Sequence, residues 1–143
     1  MARIDFYILP DTTLEARLQF ACKLAETIHR KGYRLHLHCE DKALAEQADE
    51  ALWQFRDDAY LPHALEDSEL ADSVPITLGW QQLPMPTEET ALLNLHPDIP
   101  DGIEHFARIA EIINQHQHVL VAKRACWQRY KALGHEVVPH KLG

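Results

Sequence analysis

Basic and aromatic side chains recur near the C-terminus at a spacing that favours peptide binding. Lys123, Trp127 and Lys131 fall four residues apart on one stripe of a predicted helix, and Arg124 lies beside that stripe. The stripe suits an acidic peptide with an apolar end, because bases bind carboxylates and the ring receives an apolar side chain. A solvated helix with one half-buried tryptophan explains the pattern equally well, so both interpretations stay open.

An acidic pair forms a second candidate site. Glu40 and Asp41 directly follow a predicted strand, and catalytic groups of α/β enzymes lie at strand ends. This pair and nearby histidines define an alternative hypothesis, a small α/β enzyme. We favour the interpretation that the acids cap a helix, since carboxylates stabilise helix N-termini.

The ten histidines raise the question of a metal site. His36 and His38, like His116 and His118, are two residues apart and could share a metal ion. No spacing corresponds to a zinc signature, and no acid joins the histidines in a ligand motif. We therefore interpret them as polar strand-face or loop residues and expect neither a metal nor a cofactor.

Phosphate-binding and serine-nucleophile motifs are missing from the sequence. The five glycines are too far apart for a dinucleotide fingerprint or a P-loop. The turn after the first predicted strand, residues 9–12, has no glycine that would let a phosphate approach the backbone. Neither Ser68 nor Ser73 lies in a G-x-S-x-G elbow. These observations argue against a nucleotide-binding enzyme and against a serine hydrolase.

The composition is that of one globular domain. The chain has 143 residues and a net charge of -8, which argues against general nucleic-acid binding. The acids concentrate in residues 40–102 and the bases near the C-terminus, a distribution that suggests two contact surfaces, although charge runs are often only solvated faces. The three cysteines lack CxxC spacing, and no apolar run could span a membrane. We expect a cytoplasmic protein with reduced thiols.

Hydrophobic periodicity predicts alternating strands and helices. Strands are predicted at 3–9, 33–39, 74–78, 91–95, 119–121 and 136–138, and residues 57–73 as a loop. Helices are predicted between Thr12 and Gly32, from Glu40 or Asp41 to Trp53, and at 103–113 and 123–133. This order predicts a single α/β domain over residues 1–143, a three-layer α/β/α arrangement around a mostly parallel sheet.

Several short blocks resemble the chi subunit family of bacterial DNA polymerase III holoenzyme. The blocks occur in matching order over nearly the whole chain and are residues 5–7, 39–41, 49–53, 60–63 and 129–132. The block from Leu52-Trp53 to Pro62-His63 is the most specific. The resemblance implies a fold similar to nucleotide-binding domains without the phosphate loop, and a connector protein without enzymatic activity.

The resemblance also implies partners and site residues. Chi-like proteins bind the psi subunit, which joins them to the clamp loader, and the acidic, phenylalanine-ended C-terminal tail of single-stranded DNA-binding protein. Contact with DNA is then indirect, and a helicase is a further possible partner. The implied tail-binding residues are Lys123, Arg124, Trp127, Arg129, Tyr130 and Lys131. The implied psi-binding residues are Trp53, Tyr60, Leu61 and Pro62. Trp127 departs from the family, where some members carry an arginine, and Arg124 could supply that charge.

Overall fold

The computed structural model describes residues 2–55 and 61–142. The strands are β1 (Arg3–Ile8), β2 (Arg34–His38), β3 (His63–Leu65), β4 (Ile76–Gly79), β5 (Thr90–Asn94), β6 (Arg108–Ile113) and β7 (Glu136–Lys141). The helices are α1 (Leu14–Arg30), α2 (Lys42–Gln54) and α3 (Gln117–Ala132). The strands form one seven-stranded sheet in the order β3-β4-β2-β5-β6-β1-β7, and all pairs are parallel.

Alternation along the strands sends apolar side chains into two separate cores. On one face, Leu35 and Leu37 lie in a core that α1 and α2 complete. On the other face, Ile4 and Phe6 lie in a core that α3 completes. Parallel sheets need both faces covered in this way. The predicted α/β class, three layers and mostly parallel sheet are confirmed.

The predicted helix at residues 103–113 is wrong. A short 3-10 turn, Ile103–His105, is followed there by strand β6. Because β6 is central and buried on both faces, its apolar residues do not alternate with polar ones, and their spacing also fits a helix. Ile109 packs toward α3 and Ile112 toward the opposite core.

The predicted strand at residues 119–121 is also wrong, because α3 begins at Gln117 and contains these residues. Three branched apolar residues in a row favour a strand by propensity, but tertiary context overrides it. Val119 is buried, whereas Val121 is 57% exposed. The two valines therefore lie on different sides of the helix, one facing the protein and the other facing solvent.

Smaller differences concern the ends of elements. The predicted loop at residues 57–73 contains the short strand β3. Helix α1, predicted between Thr12 and Gly32, begins at Leu14, and the Thr13 hydroxyl caps it by accepting from the Ala16 amide. Strand β7 continues through Pro139, which is tolerated because β7 is an edge strand and Pro139 lies at a position whose backbone faces away from β1.

No helix within residues 2–55 and 61–142 combines the length and the apolar character that crossing a membrane would require.

Candidate protein-interaction site

Helix α3 is attached to the sheet by a buried ion pair. The Lys123 Nζ lies 2.7 Å from Glu111 Oε1, and the two side chains are 1% and 0% exposed. The same ammonium donates to the His96 carbonyl at 2.5 Å. The other carboxylate oxygen, Glu111 Oε2, accepts from the Tyr130 hydroxyl at 2.6 Å and from the Asn94 amide at 2.9 Å. A buried charge is tolerated when it is paired and hydrogen-bonded in this way.

This network removes two of the predicted tail-binding residues from the surface. Lys123 and Tyr130 are both buried beneath α3. Burial and the neighbouring Glu111 carboxylate raise the pKa of Tyr130 far above its ordinary value, so its hydroxyl keeps its proton. We conclude that Lys123 and Tyr130 fix the position of α3 against β5 and β6 instead of presenting polar groups to solvent.

Three other predicted residues share one exposed flank of α3. Arg124 and Lys131 are exposed, and Trp127 is half-buried between them. The Trp127 ring packs against Phe6 with 4.7 Å between centroids. The Lys131 ammonium lies 5.7 Å from the centroid of the same indole, within cation–π range. The predicted basic and aromatic stripe therefore exists, although without Lys123.

Edge strand β7 extends this flank with residues that the sequence did not reveal. In the parallel pairing of β1 and β7, Val137 is in register with Ile4 and Lys141 with Ile8. In-register residues of parallel strands point to the same face, here the face that α3 covers. Val137 joins the same core as Trp127, and Lys141 is exposed. We call Arg124, Trp127, Lys131, Val137 and Lys141 the α3/β7 surface.

Arg129, the sixth predicted tail-binding residue, does not share this surface. It follows Trp127 by two residues, which turns it by about 200° around the helix axis. Its side of the helix is that of Cys126, whose thiol donates to the Pro97 carbonyl at 3.3 Å. The exposed Arg129 side chain therefore lies on the flank of α3 opposite β7.

The predicted psi-binding residues lie near the end of α2. Trp53 is 57% exposed, and its ring contacts His63 in a tilted arrangement with 4.6 Å between ring centroids. His63 also contacts the Leu61 carbonyl at 2.5 Å and lies 3.3 Å from Asp49 Oδ1.

The structure separates the predicted set of four. Pro62 is half-buried, whereas Leu61 is buried in the core below α2. Tyr60 lies outside the described residues. Of the described members, Trp53 and Pro62 present side chains to solvent, and Leu61 supports them from beneath.

The groups of the alternative enzyme hypothesis do not converge on one point. The Asp41 carboxylate caps α2 by accepting from the Leu44 amide at 2.8 Å. Glu40 instead lines a cavity of about 690 Å³ at the carboxyl ends of the strands. His36 and His38 project from the opposite face of β2 to the core residues Leu35 and Leu37, as the strand alternation predicted.

Burial determines the protonation of these histidines and of the neighbouring cysteine. Burial lowers the pKa of His36 and of His38 to about 4, with smaller contributions from His38 to the pKa of His36 and from His96 and Lys123 to that of His38. Burial raises the pKa of the Cys39 thiol to about 12, which makes a nucleophilic thiolate unfavourable. Within the described chain, no three His, Cys, Asp or Glu side chains are grouped to hold a metal ion.

Comparisons with known proteins identify the family of this chain. The sequence profile of the family described as "DNA polymerase III chi subunit, HolC" matches residues 1–138. A protein called DNA polymerase III subunit chi from Pseudomonas aeruginosa is 36% identical, with 99% of this chain and 98% of that protein covered. The protein of the same name from Haemophilus influenzae is 30% identical, with 90% of this chain and 88% of that protein covered. The one from Escherichia coli is 29% identical, with 92% of this chain and 90% of that protein covered. The chain therefore belongs to the DNA polymerase III chi subunit family.

Proposed function

We propose that this replication subunit is a connector without catalytic activity, which links the clamp loader, through psi, to the acidic tail of single-stranded DNA-binding protein. The observation that carries the proposal is the α3/β7 surface, where three exposed bases surround a half-buried indole. Such a surface has the composition that an acidic peptide with an apolar terminus requires. Replication takes place in the cytoplasm, where we place the protein.

The tail would bind with its carboxylates on the bases and its terminal phenylalanine on the apolar floor. Arg124 lies one turn before Trp127 on α3 and Lys131 one turn after it, and Lys141 lies on the neighbouring strand β7. The floor consists of the Trp127 ring and Val137, both already packed on the core below. We expect micromolar affinity for the tail, which corresponds to a binding free energy on the order of -8 kcal/mol. Because the bases are exposed, salt should weaken the binding.

The psi subunit would occupy a different surface, at the end of α2. Trp53 offers the exposed aromatic side chain that interfaces favour, and Pro62 directly precedes His63, whose ring Trp53 contacts. We keep a helicase as a further candidate for the same surface. With partners on two protein surfaces, and with a net charge of -8, contact with DNA remains indirect.

Titration with a synthetic acidic peptide ending in proline-phenylalanine tests the tail site. We expect micromolar binding that is lost when the terminal phenylalanine is omitted. The double variant Arg124→Glu with Lys131→Glu should weaken binding by roughly a hundredfold, since two attractive contacts become repulsive. Arg129→Glu is the control, because it reverses another exposed charge of α3 on the opposite flank. Equal losses in the control and in the double variant would refute the α3/β7 surface as the tail site.

A further inference from the structure

A cavity of about 690 Å³ opens on the other flank of α3, at the carboxyl ends of the central strands. Strands β1 and β6 are neighbours, but α1 leaves β1 toward one face of the sheet and α3 leaves β6 toward the other. The two connections thus separate at a topological switch point. In open α/β sheets, ligands bind in the crevice that such a point creates.

The walls of the cavity are mostly apolar although water reaches them. Leu14 and Leu18 contribute from α1, Leu44 from α2, Leu95 from the end of β5 and Val119 from α3. Leu14 is 55% exposed, so this part of the apolar wall is open to solvent. The volume lies in the range of small-molecule sites, which are typically apolar with a few polar groups.

Arg17 supplies a buried cation in this apolar surrounding. It lines the cavity and is 8% exposed. Its Nε donates to the Ile112 carbonyl at 3.0 Å, while its Nη2 has no hydrogen-bond partner among the described residues. A buried donor without a partner costs free energy unless a ligand or water accepts from it. Arg17 is therefore the group in the cavity that most needs an acceptor.

The N-terminus of α3 adds positive polarity to the same wall. His116, its N-cap residue, makes no capping hydrogen bond through its side chain, and the first turn contains no acid. The buried Nδ1 of His116 likewise has no partner within the described part of the chain. Free amides at a helix N-terminus favour an anion. Arg17 and the N-terminus of α3 thus both favour a negatively charged ligand.

The remaining charges limit that ligand to one negative charge. Lys123 also lines the cavity, but Glu111 already neutralises it. Three exposed carboxylates, Glu15, Glu40 and Glu50, stand around the cavity and repel highly charged anions. We propose that the cavity binds a small organic monocarboxylate, with its carboxylate on Arg17 and its apolar body on the leucines. A nucleotide fits poorly, because its phosphates carry several negative charges.

This site is separate from the α3/β7 surface. His118 and Ala122 line the cavity, whereas Arg124 and Trp127 lie on the flank that faces β7. Ala122 and Arg124 are two residues apart and so about 200° apart around the helix. A ligand in the cavity and a peptide on the α3/β7 surface can therefore bind to the same molecule.

Matched acids and amides test the proposal on the full-length chain. The probes are octanoate with octanamide and indole-3-acetate with indole-3-acetamide, followed by amide NMR shifts and titration calorimetry. We expect at least one acid to bind roughly tenfold or more tightly than its amide, because only the acid forms a charge-assisted bond with Arg17. The shifts should concentrate at Leu18 and Val119.

Two variants separate recognition from folding. Arg17→Gln should abolish the preference for the acid over its amide. Leu44→Trp should block both probes by filling the cavity while it leaves Arg17 in place, and it remains informative if Arg17→Gln fails to fold. Arg124→Glu is the control and should leave the acid's affinity unchanged.

Several results would overturn the proposal. The first two are equal affinity for an acid and its amide, and no binding of either acid. The others are NMR shifts at residues outside the cavity, and a loss of acid affinity in Arg124→Glu as large as in Leu44→Trp. Displacement of the bound acid by the acidic tail peptide would assign the cavity to the tail and would also refute a separate site.

Discussion

The Lys123 ammonium and the Glu111 carboxylate form an ion pair of 2.7 Å with both side chains withdrawn from solvent. The pair joins α3 to the central strand β6, two elements that the sequence alone did not place together. It fixes the helix that presents Arg124, Trp127 and Lys131. Lys123, which family resemblance assigns to tail binding, is buried in this pair, and its role in tail binding stays a prediction.

The first prediction concerns the cost of breaking this pair. In Lys123→Met, the Glu111 carboxylate stays buried and loses its cation, so the free energy of unfolding should fall by about 3–5 kcal/mol. The double variant Lys123→Met with Glu111→Gln removes both charges and should recover much of the loss. Urea unfolding at neutral pH measures both. Equal destabilisation in the single and double variants would show that the charge pairing is not what stabilises this site.

The second prediction concerns the Tyr130 hydroxyl. Tyr130→Phe removes the 2.6 Å hydrogen bond to Glu111 Oε2, while that oxygen keeps the Asn94 amide. The free energy of unfolding should decrease by about 1.5–3 kcal/mol, the range for bonds to charged groups. Tail-peptide affinity should stay within about twofold, because the hydroxyl does not reach the surface. A large loss of peptide affinity with unchanged stability would instead place the hydroxyl in the binding site.

The sequence predicted the fold class and most of the strands, but it missed the interior strand β6. Strand β2 alternates Leu35 and Leu37 with His36 and His38, so its two faces could be assigned. Strand β6 does not alternate, because both of its sides are buried, and its apolar spacing imitates a helix. Where apolar residues occupy both faces of a strand, as in β6, periodicity does not distinguish a strand from a helix.

In the candidate site, the sequence predicted local spacing along the helix but not the contacts between α3 and the sheet. Helical spacing correctly placed Trp127 and Lys131 on one flank, since i, i+4 neighbours depend on local geometry alone. It could not tell that Lys123 points inward, because its partner Glu111 lies on a strand that was not predicted. Lys141 was missed for a related reason, since its place beside Trp127 depends on the register of β7 with β1.

The third prediction is a loss of stability in mild acid. His36 and His38 are buried with pKa values of about 4, below the ordinary value of 6.5 that they have when unfolded. Between these values the unfolded chain binds more protons, so stability should fall as the pH is lowered from about 6.5 to about 4. Burial is the main cause of the low pKa of His38, and interactions with His96 and Lys123 add to it.

Urea midpoints at pH 7.5 and pH 5 measure this effect. We expect a decrease in unfolding free energy on the order of a few kcal/mol between the two conditions. A variant with His36→Gln and His38→Gln should have a flatter pH dependence, even if it is less stable at pH 7.5. If the slope between pH 7.5 and pH 5 is the same in both proteins, other groups cause the acid sensitivity.

The last prediction concerns Lys141, the basic residue that β7 contributes to the α3/β7 surface. It is exposed and in register with Ile8, so reversing its charge should leave the fold intact. Lys141→Glu should weaken binding of the acidic tail peptide by roughly three- to tenfold and reduce the salt dependence of the affinity, because one screened attraction becomes a repulsion. Lys23→Glu, which reverses an exposed charge on α1 across the sheet, is the matched control and should bind as the unaltered protein does. Calorimetric titrations at two salt concentrations distinguish the variants. If Lys141→Glu and Lys23→Glu weaken the peptide equally, net charge rather than the α3/β7 surface controls binding, and β7 takes no part in the site.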